Sequence, residues 1–164
     1  MKALVISDVD GCLTDGRYIY TADGKVAKVF GPHDNDGVKM LRAKGVDVVF
    51  ISADKRGFPI TKKRIEDMKC PIFNVSEAER VDWVKNYIKE GGYDYTAFFG
   101  DGIGDVPVKE YVDVFFAPQN ARPEAKYVAH FVTNSIGGQG AFLDLAIMFC
   151  AVMEKHEEEL KRQK

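Results

Sequence analysis

Two aspartates, in the run Asp8-Val9-Asp10-Gly11, directly follow the apolar stretch Ala3–Ser7. Side chains of an extended segment alternate with period two, so both carboxylates point to the same side. One can then attack while the other moves protons. An ionised Asp8 would be the nucleophile, and Asp10 would protonate a leaving alcohol and then deprotonate a hydrolytic water. Gly11 lets the backbone turn tightly beside them. Other reactive groups stand just past later apolar runs: Ser52 and Asp54 after Val46–Ile51, and Asp101 and Asp105 after Thr96–Phe99, with Arg80 near the start of a helical pattern. In open parallel sheets ligands bind beyond the carboxyl ends of the strands, so these positions converge on one edge. So many acids together are costly unless a cation lies between them. Oxygen ligands with no His or Cys nearby select a hard ion, and Mg²⁺ is usual where a phosphate completes the shell. The ion would also offset the repulsion between a carboxylate nucleophile and a phosphate dianion. Among these residues Asp8, Asp10, Asp101 and Asp105 are candidates to hold such an ion, with Asp105 either orienting its neighbours or capping the following helix.

Positioning these groups requires strands that end together. Ala3–Ser7, Val46–Ile51, Pro71–Asn74, Thr96–Phe99, Val112–Phe116 and Phe131–Val132 read as short strands. Most are unbroken apolar runs, as expected when both sheet faces are covered. Helical patterns lie between them, near Asn35–Lys44, Gly57–Met68, Glu77–Glu90, Asp105–Glu110 and Arg122–Ala129, with a last helix from about Gly140 to Arg162. The alternation predicts an α/β fold, a Rossmann-like doubly wound parallel sheet. One insertion interrupts it. Arg17–Tyr20 and Lys25–Phe30 flank Thr21-Ala22-Asp23-Gly24, a β-hairpin signal directly after strand one.

The chain has 164 residues, 46% of them hydrophobic, which suits one domain with a proper core over residues 1–164. With 23 basic and 25 acidic residues the net charge is -2, so the polybasic footprint of a nucleic-acid binder is lacking. A small-molecule partner is expected. The apolar part of Met1–Ser7 is too short for a signal peptide, and the run Ala141–Met153, interrupted by Asp144, falls short of a bilayer span. A cytoplasmic protein with no membrane partner is the expectation. Cys12, Cys70 and Cys150 are too few and too scattered for a disulfide framework or a zinc site. Nor does Cys12 fit thiolate phosphatase chemistry, because Arg17 falls one residue short of Cys-x5-Arg. His33 and His130 are isolated and read as core or surface residues.

Asp8-Val9-Asp10-Gly11-Cys12-Leu13-Thr14 resembles motif one of the haloacid dehalogenase (HAD) superfamily phosphatases, DxDG(V/T/C)LT. Ile51-Ser52 resembles motif two, and Gly100-Asp101-Gly102-Ile103-Gly104-Asp105 resembles motif four, GDxxxD. Over residues 1 to about 153 the chain is similar to the capless branch typified by the 3-deoxy-D-manno-octulosonate 8-phosphate phosphatases and their relatives acting on nine-carbon ulosonate phosphates. Asp15-Gly16 and the hairpin carry that likeness, with Phe30 to Gly37, Arg64, and a tail Gly137-Gly138-Gln139-Gly140-Ala141-Phe142 similar to GGxGAxRE. The resemblance implies an Mg²⁺-dependent phosphomonoesterase without a cap domain, acting on a small phosphorylated acidic sugar through an aspartyl-phosphate on Asp8. The ion would be held by the Asp8 and Asp101 carboxylates and the Asp10 carbonyl. Ser52 and Arg80 would grip the phosphoryl oxygens. Asp34, Asn35, Asp54 and Arg64 would contact and sort substrates. A homotetramer is implied, in which hairpins associate and a neighbour's surface closes the site.

Three departures stand out. Arg80 occupies the place of the usual motif-three lysine, a planar fork in place of a compact ammonium. Ala53-Asp54 replaces Gly-Arg, and an aspartate cannot clasp a substrate carboxylate. Leu143-Asp144 replaces Arg-Glu. Two other functions compete: a receiver-like phosphoacceptor domain, whose phosphorylated aspartate would follow strand three, and a non-catalytic member retained for assembly or regulation. The glycines at 137, 138 and 140 serve either the site or only the turn that caps the last helix.

Overall fold

A computed structural model describes residues 1–163. In chain order the elements are β1 (Ala3–Asp8), β2 (Tyr18–Thr21), β3 (Gly24–Lys28), α1 (His33–Ala43), β4 (Val46–Ser52), α2 (Phe58–Asp67), β5 (Ile72–Asn74), α3 (Arg80–Gly91), β6 (Tyr95–Phe99), a 3-10 helix (Ile103–Tyr111), β7 (Val114–Ala117), α4 (Pro123–Val128), β8 (Phe131–Val132) and α5 (Ala141–Arg162). Six strands form one parallel sheet in the order β5-β4-β1-β6-β7-β8. The chain thus winds outward in both directions from β1, and the ends of β1, β4 and β6 lie side by side.

Both faces of the sheet are covered, which is why its strands read as unbroken apolar runs. Val5, Val48, Phe50, Ala97, Phe99 and Phe116 pack with Val38 and Leu41 of α1 and with Phe142, Leu145 and Phe149 of α5. Leu4, Ile6, Val49, Ile51, Phe98 and Phe115 pack on the opposite face with Val84 of α3, Val108 and Ala125. The run from Ala141 to Met153 is therefore a core helix, burying Ala141, Phe142, Leu145, Ala146, Phe149, Cys150 and Met153 along one side. Among the described residues, no helix is long and apolar enough to cross a membrane.

Strands β2 and β3 form a separate antiparallel ribbon, the expected hairpin, and the described residues contain no cap domain. Gly24, at φ +102, takes the left-handed conformation that its Asp-Gly signal required. Some boundaries differ from the sequence reading for local reasons. The segment after β6 is a 3-10 helix containing Pro107, which has no amide hydrogen to continue an α-helical ladder. Helix α3 starts at Arg80 rather than Glu77, because Ser76 and Glu79 close a hydrogen-bonded turn ahead of it. Strand β7 starts at Val114, since Asp113 turns its carboxylate onto the Thr96 amide and hydroxyl.

Candidate active site

A cavity of about 240 Å³ at the carboxyl end of β1 is lined by Asp8, Asp10, Ala53, Asp54, Glu77, Arg80, Asp101, Gly102 and Asp105. Each acid is set by an element end. Asp8 closes β1, Asp10 lies in the tight turn after it, Asp54 follows β4, and Asp101 and Asp105 follow β6. Gly11 is indispensable to this convergence. Its φ is +86, and a Cβ there would run into the Asp101 carboxylate.

Asp8, Asp101 and Asp105 each offer a carboxylate oxygen within 4.8 Å of the others. Burial and then the Asp105 charge push Asp8 well above the usual carboxylate range, with Arg80 working against them. Burial and Asp105 likewise raise Asp101 to about 7. Asp105 is raised by burial, opposed first by Arg80. Such a group charges fully only beside a cation, and an all-oxygen donor set suits a hard divalent ion such as Mg²⁺. Asp105 is the third residue of the 3-10 helix rather than its N-cap, which is Gly102, and its side chain supplies the returning half of a capping box, onto the N-cap amide. One oxygen accepts the Asp101 and Gly102 amides at 3.0 Å each, capping the 3-10 helix, and the other accepts Arg80 Nη1 at 2.5 Å.

Arg80 is buried at the start of α3, with Nη1 also 3.9 Å from Asp8 Oδ2. Burial alone would lower its affinity for a proton, but Asp8 and Asp105 more than reverse this. Its Nε has no hydrogen-bond partner among the described residues. Ser52, fully buried at the end of β4, donates to Asp10 Oδ2 at 3.3 Å and accepts the Asp54 amide. Strand β5 ends on Asn74, which donates to the Ser52 carbonyl, so the position at which a receiver domain carries its acid holds an amide.

The opposite wall differs from the sequence reading. Asp54 accepts Lys25 Nζ at 2.7 Å and Lys28 Nζ at 2.8 Å, and Lys28 also contacts Asp10 Oδ1 at 2.7 Å. Burial works to raise Asp54, yet the hydrogen bonds from Lys25 and Lys28 hold it well below the usual range. The remaining expected substrate residues lie outside the cavity lining. Asp34 is buried on α1, raised to about 7 by burial against the pull of Arg64 and His33, and its Oδ2 has no hydrogen-bond partner among the described residues. Arg64 donates to the Gly31 carbonyl at 2.9 Å, with its Nη2 4.0 Å from Asp34, and Asn35 is half-buried on the same helix as Asp34.

Nothing in the sequence singles out Lys25, Lys28, Glu77 or Asn120 as site residues. Asn120 bridges the Gly11 carbonyl and the Gly137 amide, at 2.9 and 2.7 Å. A Cβ on Gly137 would meet the Thr14 and Gly11 carbonyls, so the glycine-rich tail packs on the backbone of the first motif as well as leading into α5. His33 is exposed beside Asp36, and His130 Nδ1 accepts the Phe115 amide. All three cysteines are free and buried.

No family model matches the chain. It is 33% identical over 153 residues to the 3-deoxy-D-manno-octulosonate 8-phosphate phosphatase of Haemophilus influenzae, covering 92% of this chain and 84% of that protein. Among solved structures, the cobalt-bound form of the deoxy-D-mannose-octulosonate 8-phosphate phosphatase from Haemophilus influenzae matches with a TM-score of 0.80 at 32% identity, over 88% of this chain and 85% of that one. A Legionella pneumophila protein assigned to the HAD superfamily of hydrolases matches with a TM-score of 0.82 at 27% identity, over 94% and 85%. Fold and site thus define a capless HAD-type phosphatase. More closely, the chain belongs to the family of the 3-deoxy-D-manno-octulosonate 8-phosphate phosphatases.

Proposed function

We propose that the protein hydrolyses a 2-keto-3-deoxy ulosonate phosphate of eight or nine carbons through an aspartyl-phosphate on Asp8. One observation carries the reading: Asp8 and Asp10 open on the same cavity, with Asp101, Asp105 and Arg80 gathered behind Asp8. Asp8, Asp101 and the Asp10 carbonyl would hold Mg²⁺, with Asp105 fixing the Asp101 loop from behind. The bound ion supplies the positive charge that lets a carboxylate approach a phosphate dianion.

An Asp8 oxygen attacks phosphorus, and the ester oxygen leaves with a proton from Asp10. Asp10 then takes a proton from water, the water oxygen attacks the same phosphorus, and Asp8 is released with inorganic phosphate. Arg80 orients the phosphoryl oxygens, joined by Ser52 when its single hydroxyl hydrogen turns from Asp10 to the phosphate, and the arginine stands in for a lysine because Asp105 already fixes its fork. With Asp54 committed to two lysines, its charge is not free to repel a substrate carboxylate, and Asp34, Asn35 and Arg64 are proposed to act from beyond the cavity rim. The octulosonate phosphatase from Haemophilus influenzae supports the sugar class.

The test is a panel of eight- and nine-carbon ulosonate phosphates assayed for phosphate release with Mg²⁺. At least one should be turned over, and Asp8→Asn should lower that rate by about 10⁴-fold or more without changing the melting temperature. Near-normal activity in the variant would contradict the mechanism. The protein is also proposed to form a homotetramer through the hairpin, where Tyr18, Ile19, Tyr20 and Val29 are 51%, 54%, 60% and 71% exposed. Sedimentation giving a monomer would end that part of the proposal.

A further inference from the structure

Lys28, the last residue of β3, has a side chain that is 0% exposed. An ammonium carries three N–H donors and no acceptor. All three are satisfied: by Asp10 Oδ1 at 2.7 Å, Asp54 Oδ2 at 2.8 Å and Thr61 Oγ1 at 2.9 Å. The acceptors come from the turn after β1, the loop after β4, and α2, so the cation ties three parts of the scaffold to the hairpin. A buried charge persists only when paired and hydrogen-bonded, and here the pairing leaves it no freedom to wander.

The hairpin delivers Lys28 by an irregularity. Tyr18 pairs with Lys28 and Ile19 with Ala27, but Tyr20 then pairs with Lys25, leaving Val26 as an extra residue. In a regular strand, residues three apart face opposite sides; a bulge cancels that alternation. Both lysines consequently reach Asp54 Oδ2. Lys25 shares the burden of neutralising Asp54, which leaves Lys28 able to hold Asp10. Because Ser52 Oγ donates to the other oxygen of Asp10, that carboxylate is gripped at both ends while staying 32% exposed toward the cavity.

We propose that Lys28 is the positioning residue for Asp10, which makes the hairpin part of the catalytic apparatus of its own chain. The inference rests on Asp10 being the acid and base of the proposed function. Lys28 touches no reacting atom and acts through the carboxylate it aims.

That role has a signature in the leaving group. A sugar alkoxide is strongly basic and needs a proton as it departs, whereas para-nitrophenolate leaves without one. A loosened Asp10 must therefore cost more on the sugar phosphate. Lys28→Met should lower kcat/KM for the best ulosonate phosphate about 100-fold, and for para-nitrophenyl phosphate by less than about 10-fold. Lys28→Arg, which keeps the charge, should recover part of the selective loss. Thr61→Val retains the cation and removes one of its three contacts. It should show the same selectivity on a smaller scale, and it decides the matter if Lys28→Met does not fold. Asp10→Asn in parallel separates the two levels. If it shows the selective loss while folded Lys28 and Thr61 variants lose both substrates equally or neither, the Lys28 inference is overturned alone. If Asp10→Asn itself shows no selectivity, the acid–base reading fails and the inference falls with it.

Discussion

On the hairpin wall of the cavity, Asp10 and Asp54 face Lys25 and Lys28, two acids against two cations. On the sheet wall, Asp8, Asp101 and Asp105 face Arg80, three acids against one. The consequences run in opposite directions. Lysine hydrogen bonds overcome burial and hold Asp54 low, while burial and mutual repulsion raise Asp101 to about 7. A chain that can neutralise one wall with its own lysines has left the other short of positive charge. The deficit lies where an attacking carboxylate must meet a phosphate, and this is where Mg²⁺ would be needed.

Paired substitutions test that contrast. The larger effect belongs to Asp101→Asn. Removing a proposed ligand should cost about 100-fold or more in Mg²⁺-supported turnover, yet the metal-free protein should melt higher because a repulsive charge is gone. Asp54→Asn should do the reverse on a smaller scale: turnover within about 10-fold of wild type, and a lower melting temperature as Lys25 and Lys28 lose a shared acceptor. Melting shifts of the same sign in both variants would erase the distinction between the walls.

The sheet wall is legible in the sequence, whereas the hairpin wall is legible only in its acids, Asp10 and Asp54, and not in the lysines that pair with them. Asp8, Ser52, Asp101 and Asp105 each follow an apolar run, and a parallel sheet aligns such ends without any distant detail. Arg80 could be placed by spacing because α3 leads directly from the edge of the sheet. Lys25 and Lys28 escaped because period-two reasoning sets residues three apart on opposite faces, and a single bulge at Val26 reverses that conclusion. Asp54 reads from the sequence as a substrate contact, because its lysine partners lie 29 and 26 residues away in a ribbon outside the sheet. Asn120 left no sequence signal, since its bond to Gly11 spans 109 residues.

The central claim is that the sheet wall lacks a cation, and calorimetric titration of the whole protein with Mg²⁺ between about pH 6 and pH 8 tests it most directly. The sign follows from the raised acids. Asp101 has an ordinary value of 3.8 and a folded value of about 7, so the metal-free fold is favoured at low pH and loses that stability as the pH rises through about 7. Mg²⁺ should therefore bind more tightly at pH 8 than at pH 6, with protons released near pH 7, and Asp101→Asn should reduce that release, the remainder coming from the other raised acids, Asp8 and Asp105. Binding of equal strength at both pH values without proton release, or no binding in the wild-type protein, would contradict the account.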